Sequence, residues 1–281
     1  MSFSVLLSVY WKENSLFLSK SLDSVFTQTL KPDEVVLVED GVLTPELYSV
    51  IDKFQKLHPE LKTVKLEKNS GLGVALNEGL KNCSFDIVAR MDTDDIAKPN
   101  RFEKQIKFLE ENTEIDLVGS WVDEFKEDTD NILSIRKVPE KPKEIYEYCK
   151  GRCPVNHPTV VFRKNAVLKA GGYLTEYFPE DYFLWIRMLM NGSKFYNLQE
   201  SLLYFRVSEG TIKRRGGFKY ALDEIHIQKM IYKTGFINFP IFIKNSFIRF
   251  CVRIFPLKLR TFVYNRMLRE KTSKFAEIIF V

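Results

Sequence analysis

The chain lacks several features that would decide its class at once. No run of about 20 apolar residues is free of charge, so we expect no transmembrane helix. No signal-peptide pattern is visible, because the first residues lead directly into a strand-like run. The 281 residues include only four cysteines, and none has the paired spacing of a zinc site. We therefore expect free thiols and a reducing, cytoplasmic compartment.

Two motifs of other nucleotide- and phosphate-using enzymes are also missing. No Gly-x-Gly-x-x-Gly follows the first predicted strand, which argues against a nicotinamide enzyme. A hydrolase with an aspartate nucleophile would carry its Asp-x-Asp motif after the first strand. Here that motif, Asp92-Thr93-Asp94, follows the fourth predicted strand.

Positive charge is concentrated near the carboxyl end. The net charge of the chain is +5, yet residues 231–281 hold ten Lys/Arg against two acids and so carry +8. The remainder is therefore at −3. A basic tail on a nearly neutral body indicates an anionic partner surface, either lipid or nucleic acid. No nucleic-acid-binding motif accompanies the charge, which favours lipid and predicts no nucleic-acid partner.

The first 121 residues alternate between strand-like and helix-like patterns. Strands are predicted at 3–9, 34–38, 63–66, 85–89 and 116–121, with helices at 16–26, 45–57, 71–80 and 101–111. Thr44 followed by Pro45 is a typical helix start. This alternation predicts an α/β fold with a mostly parallel sheet flanked by helices.

The second half is less regular. A strand is predicted over 156–162, a short helix over 166–170, a helix with an acidic first turn over 180–190 and a strand over 202–207. Residues 208–218 are polar, basic and glycine-containing, which is the composition of a mobile lid.

The segment ARMDTDDIAKPNR places three carboxylates, Asp92, Asp94 and Asp95, directly after a predicted strand. Like charges this close repel one another unless a positive charge lies between them. A solvated turn is one interpretation, and a divalent-cation site is the other. Ligands bind beyond the carboxyl ends of parallel strands, where 10–12 and 39–41 should also converge. That convergence favours the cation site.

Several blocks in this order resemble the family 2 glycosyltransferases of the GT-A fold. They are SVLLSVY, EVVLVEDG, NSGLGVALNEGL, ARMDTDDIAKPNRF, NHPTVVF and PEDYFLWIRML, within about residues 3–210. The sequence is most similar to bacterial members that build O-antigen, capsule or exopolysaccharide. The resemblance implies a Rossmann-like mixed, mostly parallel sheet. It also implies a catalytic domain at 1–220, with a nucleotide-sugar half at 1–120 and an acceptor half at 121–220, and a basic helical region at 221–281.

The resemblance implies an inverting transfer of one hexose (galactose, glucose or an N-acetyl form) from a UDP-sugar, with Mn²⁺ or Mg²⁺. Asp94 would be the main metal ligand, Asp92 would bond the ribose or a metal-bound water, and Asp95 would be a support or a second metal contact. Asp40 would accept from the uracil ring, although an acid before Gly41 is also ordinary turn chemistry. The residues expected to bind the nucleotide sugar are Ser8, Tyr10, Asp40, Lys68, Asn69, Gly71, Arg90, Asp92, Thr93, Asp94, His157 and Arg206.

Asp181 is the expected general base, matching the family's Glu-Asp pair. A carboxylate must take the proton of the attacking hydroxyl as the new bond forms. The same two acids would also oppose the dipole of the helix that they begin, and the two roles are compatible. His157 is either a phosphate or acceptor contact or a structural residue. Ser208 stands where many relatives have histidine, and the missing Gln-x-x-Arg-Trp signature argues for a single sugar addition.

Residues 241–255 form an amphipathic helical pattern. Ile243, Phe247, Phe250 and Ile254 line one face, and charged residues fall on the other. The pattern predicts either a helix in a membrane interface or a helix packed on the catalytic core. With the basic tail, it suggests peripheral attachment to an anionic membrane, on the inner face of the cell membrane, and a lipid-diphosphate-linked saccharide acceptor. The alternative function is a non-catalytic or other Mg-dependent phosphate-ester-binding protein at that surface.

Overall fold

The computed structural model describes residues 1–174, 180–207, 217–255 and 270–271. Its first part alternates strands and helices as predicted. The elements are β1 (Phe3–Val9), α1 (Ser15–Phe26), β2 (Glu34–Glu39), α2 (Pro45–Leu57), β3 (Leu61–Lys65), α3 (Leu72–Asn82), β4 (Ile87–Arg90), β5 (Ile96–Ala97) and α4 (Arg101–Glu111). Thr44 caps α2 by accepting from the backbone N–H of Leu47 at 3.4 Å, as predicted. The two-residue strand β5 was not predicted, because it is too short to show a periodic pattern.

The second part departs more from prediction. Its elements are β6 (Leu117–Phe125), β7 (Ile132–Arg136), α5 (Pro142–Cys149), β8 (Val161–Arg163), α6 (Lys164–Lys169), α7 (Glu180–Met190), β9 (Phe195–Arg206), α8 (Phe218–Lys233), α9 (Phe239–Ile254) and β10 (Glu270–Lys271). The sequence pattern did not predict β7, α5 or β10.

Two predicted elements need correction. The strand expected at 156–162 is wrong in its first half, where His157–Thr159 forms a 3₁₀ turn. Pro158 within that turn cannot donate to a ladder, and this favours a turn over a strand. The strand expected at 202–207 begins earlier, at Phe195. Of the predicted lid, 208–216 lie outside the described residues, while Phe218 already belongs to α8.

Within the described residues, ten strands form one mixed sheet. The order is β10-β7-β6-β8-β4-β1-β2-β3, with β9 beside β6 and β5 beside β9. Strands β4, β1, β2 and β3 run parallel, whereas β8 runs antiparallel between β4 and β6. The predicted mixed, mostly parallel sheet flanked by helices is therefore confirmed.

Helices cover both faces of this sheet and create two apolar cores. In β1, Leu6 packs into one core, and its neighbours Val5 and Leu7 pack into the other, as the two-residue period of a strand requires. Ile227 of α8 belongs to the same core as Trp185 of α7. Helix α8 thus crosses the boundary predicted at 220 and packs on the sheet; the division of the chain into domains stays a prediction.

No helix among the described residues is long and apolar enough to span a bilayer.

Candidate active site

Three strand ends meet at one edge of the sheet. β1 pairs in parallel with both β2 and β4, which places Tyr10, Asp40 and the acidic segment at neighbouring carboxyl ends. The backbone N–H of Asp40 donates to the carbonyl of Val9 at 2.8 Å. The hydroxyl of Thr93 donates to the carbonyl of Ser8 at 3.2 Å. The predicted convergence of these turns is confirmed.

The acidic cluster consists of Asp92, Asp94 and Asp95, each of which offers an oxygen within 4.8 Å of the others. Burial, followed by the charges of Asp92 and Glu13, raises the pKa of Asp94 to about 7. Burial and the two neighbouring carboxylates also raise the pKa of fully buried Asp95 well above its usual range. The nearby positive charges therefore do not compensate the negative charges of the three carboxylates.

The donor set fits a hard divalent cation. Carboxylate oxygens are the ligands that Mg²⁺ and Mn²⁺ prefer. Among the described residues, the buried Oδ2 of Asp95 has no hydrogen-bond partner, so it keeps a free acceptor. The predicted metal ligands are therefore brought together in a suitable arrangement.

Two buried arginines lie beneath the cluster. The guanidinium of Arg90, only 1% exposed, pairs with Asp92. Although burial opposes its charge, the Asp92 carboxylate raises the pKa of Arg90. Arg101 donates to the carbonyl of Arg90 at 2.7 Å and to Gln105 at 3.1 Å. Burial and the charge of Arg90 lower the pKa of Arg101 to about 9.

Arg206 braces the acidic loop from the side of β9. Its backbone N–H donates to Asp95 Oδ1 at 2.8 Å, and its Nε donates to the carbonyl of Asp94 at 2.9 Å. Its guanidinium lies over the rings of Phe17 and Phe125, 3.9 and 4.4 Å from their centroids. The structure therefore gives Arg206 a positioning role; contact with a diphosphate stays a prediction.

Asp40 organises the glycine-containing turn before α3. Its two carboxylate oxygens accept from the backbone N–H groups of Ser70 at 2.6 Å and Gly71 at 3.0 Å, and Asn69 Nδ2 donates to it at 3.2 Å. Gly41 has φ +86°, and a Cβ there would lie 2.5 Å from the backbone N of Asn69. The predicted nucleotide residues Asp40, Asn69 and Gly71 are therefore together, with Asp40 buried beneath the turn.

Asp181 stands in the first turn of α7. Its Oδ1 accepts from the backbone N–H of Tyr182 at 2.8 Å, while Oδ2 lies 3.8 Å from Cys153 Sγ and 4.0 Å from His157 Nδ1. His157 Nε2 is 3.0 Å from the hydroxyl of Tyr173. The carboxylate remains partly exposed, with 19% of its side-chain surface open to solvent.

The charge of Arg90 acts both on the acidic cluster and on the residues around Asp181, namely Glu180 and His157. Burial and the charge of Arg90 lower the pKa of His157 well below 6.5, so its imidazole is neutral and its contact with Asp181 is no ion pair. Burial raises the pKa of Glu180, and the charges of Asp181 and Asp92 add to that rise. The two groups of carboxylates therefore lie within one electrostatic site.

Comparison with known proteins decides the family. The model of glycosyl transferase family 2 matches residues 4–171, more than half of the chain. The chain belongs to glycosyl transferase family 2. A UDP-Gal:alpha-D-GlcNAc-diphosphoundecaprenol beta-1,3-galactosyltransferase of Escherichia coli is 43% identical over 95% of this chain and 97% of its own length. The amylovoran biosynthesis glycosyltransferase AmsE of Erwinia amylovora is 39% identical over 94% and 98%.

Solved glycosyltransferases share the fold at lower identity. Staphylococcus aureus TarS 1–349 in complex with UDP-GlcNAc superposes with a TM-score of 0.61 at 22% identity, over 82% of this chain and 66% of that one. The mannosyltransferase PcManGT from Pyrobaculum calidifontis, in complex with GDP-Man and Mn²⁺, superposes with a TM-score of 0.60 at 18% identity. The superposition covers 88% of this chain and 68% of that one. These likenesses confirm the expected GT-A fold.

In this glycosyltransferase the sequence did not identify Glu13, Cys153 or Tyr173 as parts of the site. Burial raises the pKa of Glu13, whose carboxylate lies 3.4 Å from the hydroxyl of Thr93. Its place four residues after the end of β1 is a signal that could have found it. The neighbours of Asp181 carry no such signal. Of the remaining predicted residues, Lys68 and Tyr10 are exposed at this edge of the sheet.

Proposed function

We propose that this glycosyltransferase transfers one hexose from a UDP-sugar to a saccharide carried on a lipid diphosphate, in the synthesis of a bacterial surface polysaccharide. The observation that carries the proposal is the 43% identity, over nearly the whole of both chains, with the Escherichia coli galactosyltransferase. That relative's name gives UDP-Gal as donor and GlcNAc-diphosphoundecaprenol as acceptor. Galactose is therefore the leading hexose, ahead of glucose and the N-acetyl sugars.

The uridine end of the donor would bind at Asp40. The turn at 69–71 holds the carboxylate, with two donors on Oδ2 and the Ser70 N–H on Oδ1, so Oδ1 would offer its second lone pair to a further donor such as the uracil N3–H. Only 3% of Asp40 is exposed, so a base without that donor would leave one buried acceptor site of the carboxylate unsatisfied. Ser8 and Tyr10, at the end of β1, would flank the ring.

The diphosphate would lie at the acidic cluster. Asp94, Asp92 and Asp95 would hold Mn²⁺ or Mg²⁺ there. When bound, the cation supplies positive charge to the leaving diphosphate, whose negative charge grows during transfer. Arg90 holds the acidic loop in place by pairing with Asp92. Arg206 holds it through hydrogen bonds to Asp95 and to the carbonyl of Asp94.

Asp181 would act as the general base in a single displacement. The acceptor oxygen forms a bond to the anomeric carbon while the bond from that carbon to the UDP oxygen breaks, which inverts the configuration. The hydroxyl proton passes to Asp181 Oδ2, and UDP leaves with the electron pair of the broken bond. The Tyr182 N–H holds Oδ1, and this fixes the carboxylate for the transfer.

A donor and metal panel tests the proposal. The full chain is incubated with UDP-Gal, UDP-Glc, UDP-GlcNAc and UDP-GalNAc, a short-chain GlcNAc-diphospholipid, and either Mn²⁺, Mg²⁺ or excess chelator. We expect a single galactose to be added with inversion, and activity to be lost in chelator. No transfer from any UDP-hexose would refute the proposal, and tight UDP binding without turnover would favour the alternative of a phosphate-ester-binding protein.

A lipid-linked acceptor places the enzyme at a bilayer. We accordingly propose a peripheral position on the inner face of the cell membrane, with residues 1–120 binding the donor, 121–220 the acceptor and 221–281 the membrane side.

A further inference from the structure

Helix α9 packs on the protein through three polar side chains as well as through Ile241 and Phe242. Asn245 donates to the carbonyl of Lys150 at 2.8 Å and to Gln228 Oε1 at 3.0 Å. Arg249 donates to the carbonyl of Gly151 at 2.8 Å. Arg253 donates to buried Glu224 of α8 at 2.6 Å. Of the polar residues predicted on one side of this helix, Asn245, Arg249 and Arg253 therefore face inward, which is the reverse of an ordinary surface helix, whereas Lys244 is exposed.

The opposite side of α9 is apolar and exposed. We call it the outer face, and it consists of Phe239, Ile243, Phe247 and Ile254. Their exposed fractions are 57%, 48%, 69% and 47%. Ile241 and Phe242 of the same helix pack against the core, but these four side chains keep about half or more of their surface in solvent, so much of their burial free energy stays unused. An exposed apolar stripe of this size marks a binding surface.

The neighbouring end of α8 extends the apolar surface. Phe218 is 62% exposed and Leu222 48% exposed, and the ring of Phe218 lies 6.0 Å from that of Phe250 in α9. Exposed lysines occur on the same two helices, at positions 219, 229, 233 and 244. Apolar side chains beside lysines are the composition of a helix that lies in the interface of an anionic bilayer.

We propose that the outer face of α9, together with Phe218 and Leu222, inserts into the headgroup region of a membrane rich in anionic lipid. Charge decides between a membrane and a second copy of this chain. The exposed lysines of α8 and α9, at positions 219, 229, 233 and 244, outnumber the one exposed acid of these two helices, Asp223, so two copies facing each other through this surface would repel, whereas an anionic lipid surface attracts it.

The docking surface connects to the acceptor side of the active site. Arg249 lies over the ring of Tyr182, 5.8 Å from its centroid, and Tyr182 directly follows Asp181. A bilayer on the outer face would therefore sit on the far side of one helix from the proposed base. Such a position would give a lipid-linked acceptor a short path to Asp181, and this part of the argument rests on the proposed function. The docking of the outer face on a membrane does not depend on the proposed function.

Vesicle sedimentation of the full chain tests the docking. The double variant Ile243→Ser/Phe247→Ser is compared with Leu57→Ser, a matched change at an apolar residue of α2 that is 61% exposed. Vesicles contain phosphatidylcholine alone or with about a third phosphatidylglycerol. We expect binding to the anionic vesicles, about tenfold or more weaker for the double variant and unchanged for Leu57→Ser. Unfolding curves check that all three proteins fold.

Two results would overturn the docking. One is that the wild type does not bind anionic vesicles. If it instead forms a dimer that the double variant dissociates, the outer face would be assigned to a second copy of this chain. The other is equal binding by the wild type and the double variant. Transfer to the short-chain acceptor separates the proposals: activity without vesicle binding refutes only the docking, and vesicle binding without transfer from any UDP-hexose refutes only the proposed function.

Discussion

Asp94→Asn removes one negative charge from the acidic cluster without changing the size of the side chain. In the metal-free protein this carboxylate is unfavourable, because burial and the charges of Asp92 and Glu13 raise its pKa from 3.8 to about 7. We therefore expect the variant to be more stable than the wild type when metal is removed, although it should be a poor enzyme.

The raised pKa of Asp94 sets both the size and the pH dependence of the stability difference between the variant and the wild type. Well below pH 3.8, the pKa of the unfolded state, Asp94 is neutral in both the folded and the unfolded protein, so Asp and Asn are nearly equivalent. As the pH rises towards 7, the Asp94 carboxyl ionises in the unfolded protein but stays largely protonated in the folded protein. The free energy of unfolding of the wild type therefore falls, while that of the Asp94→Asn variant does not fall for this reason. A shift of about three pKa units sets a ceiling of about 4 kcal/mol, and solvent screening of this partly exposed group reduces the expected gain to about 1–2 kcal/mol at pH 8.

The assay is urea unfolding in excess chelator at pH 4.5 and pH 8, repeated with Mn²⁺ at pH 8. Mn²⁺ should stabilise the wild type by about 2.7 kcal/mol at a hundredfold excess over its Kd, and the variant much less, so the order of stability reverses. Asp130→Asn, at an exposed turn away from the cluster, is the matched control and should change little. A variant less stable than the wild type in chelator at pH 8, or an equal difference at both pH values, would refute the reasoning.

Three further predictions concern the proposed base Asp181, the turn at Gly41 and the proposed metal site. Asp181→Asn should lower kcat about a hundredfold or more while leaving UDP binding unchanged, because it removes the proton acceptor and leaves the donor contacts in place; single-turnover kinetics and calorimetry measure the two effects. Gly41→Ala should cost about 2 kcal/mol of unfolding free energy, because its φ of +86° and the nearby Asn69 nitrogen both oppose a Cβ. Mn²⁺ should bind about tenfold more tightly per pH unit up to pH 7, because binding must displace the proton of Asp94.

Each of these predictions has a result that would contradict it, and Gly41→Ala also has a matched control. Gly151→Ala meets no atom closer than 3.9 Å and should be nearly neutral; an equal loss in both alanine variants would contradict the steric argument. An Mn²⁺ affinity that is flat between pH 5 and pH 7 would contradict the proton displacement. Unchanged kcat in Asp181→Asn would remove its assignment as base.

Local sequence pattern was enough to predict the first part of the fold, from β1 to α4, apart from the short strand β5. The alternation from β1 to α4, the cap at Thr44 and the position of the acidic cluster at a strand end all depend on neighbouring residues in the chain. The rule that parallel strands end at one edge then brings Asp40 and Asp92 together, since it needs only strand direction and order. The resemblance to the family added the assignment of Asp181, which the residues alone leave open.

The contacts between distant segments were decided only by the tertiary structure. His157 and Cys153 reach Asp181 from another part of the chain, and no periodicity encodes that meeting. The sequence determined that α9 is amphipathic, because its spacing fixes which residues share a face. It could not determine which face points outward, because that depends on buried Glu224 and on the carbonyls at 150–151, which offer acceptors to Asn245, Arg249 and Arg253. Satisfying those acceptors turns Asn245, Arg249 and Arg253 inward and leaves the outer face exposed.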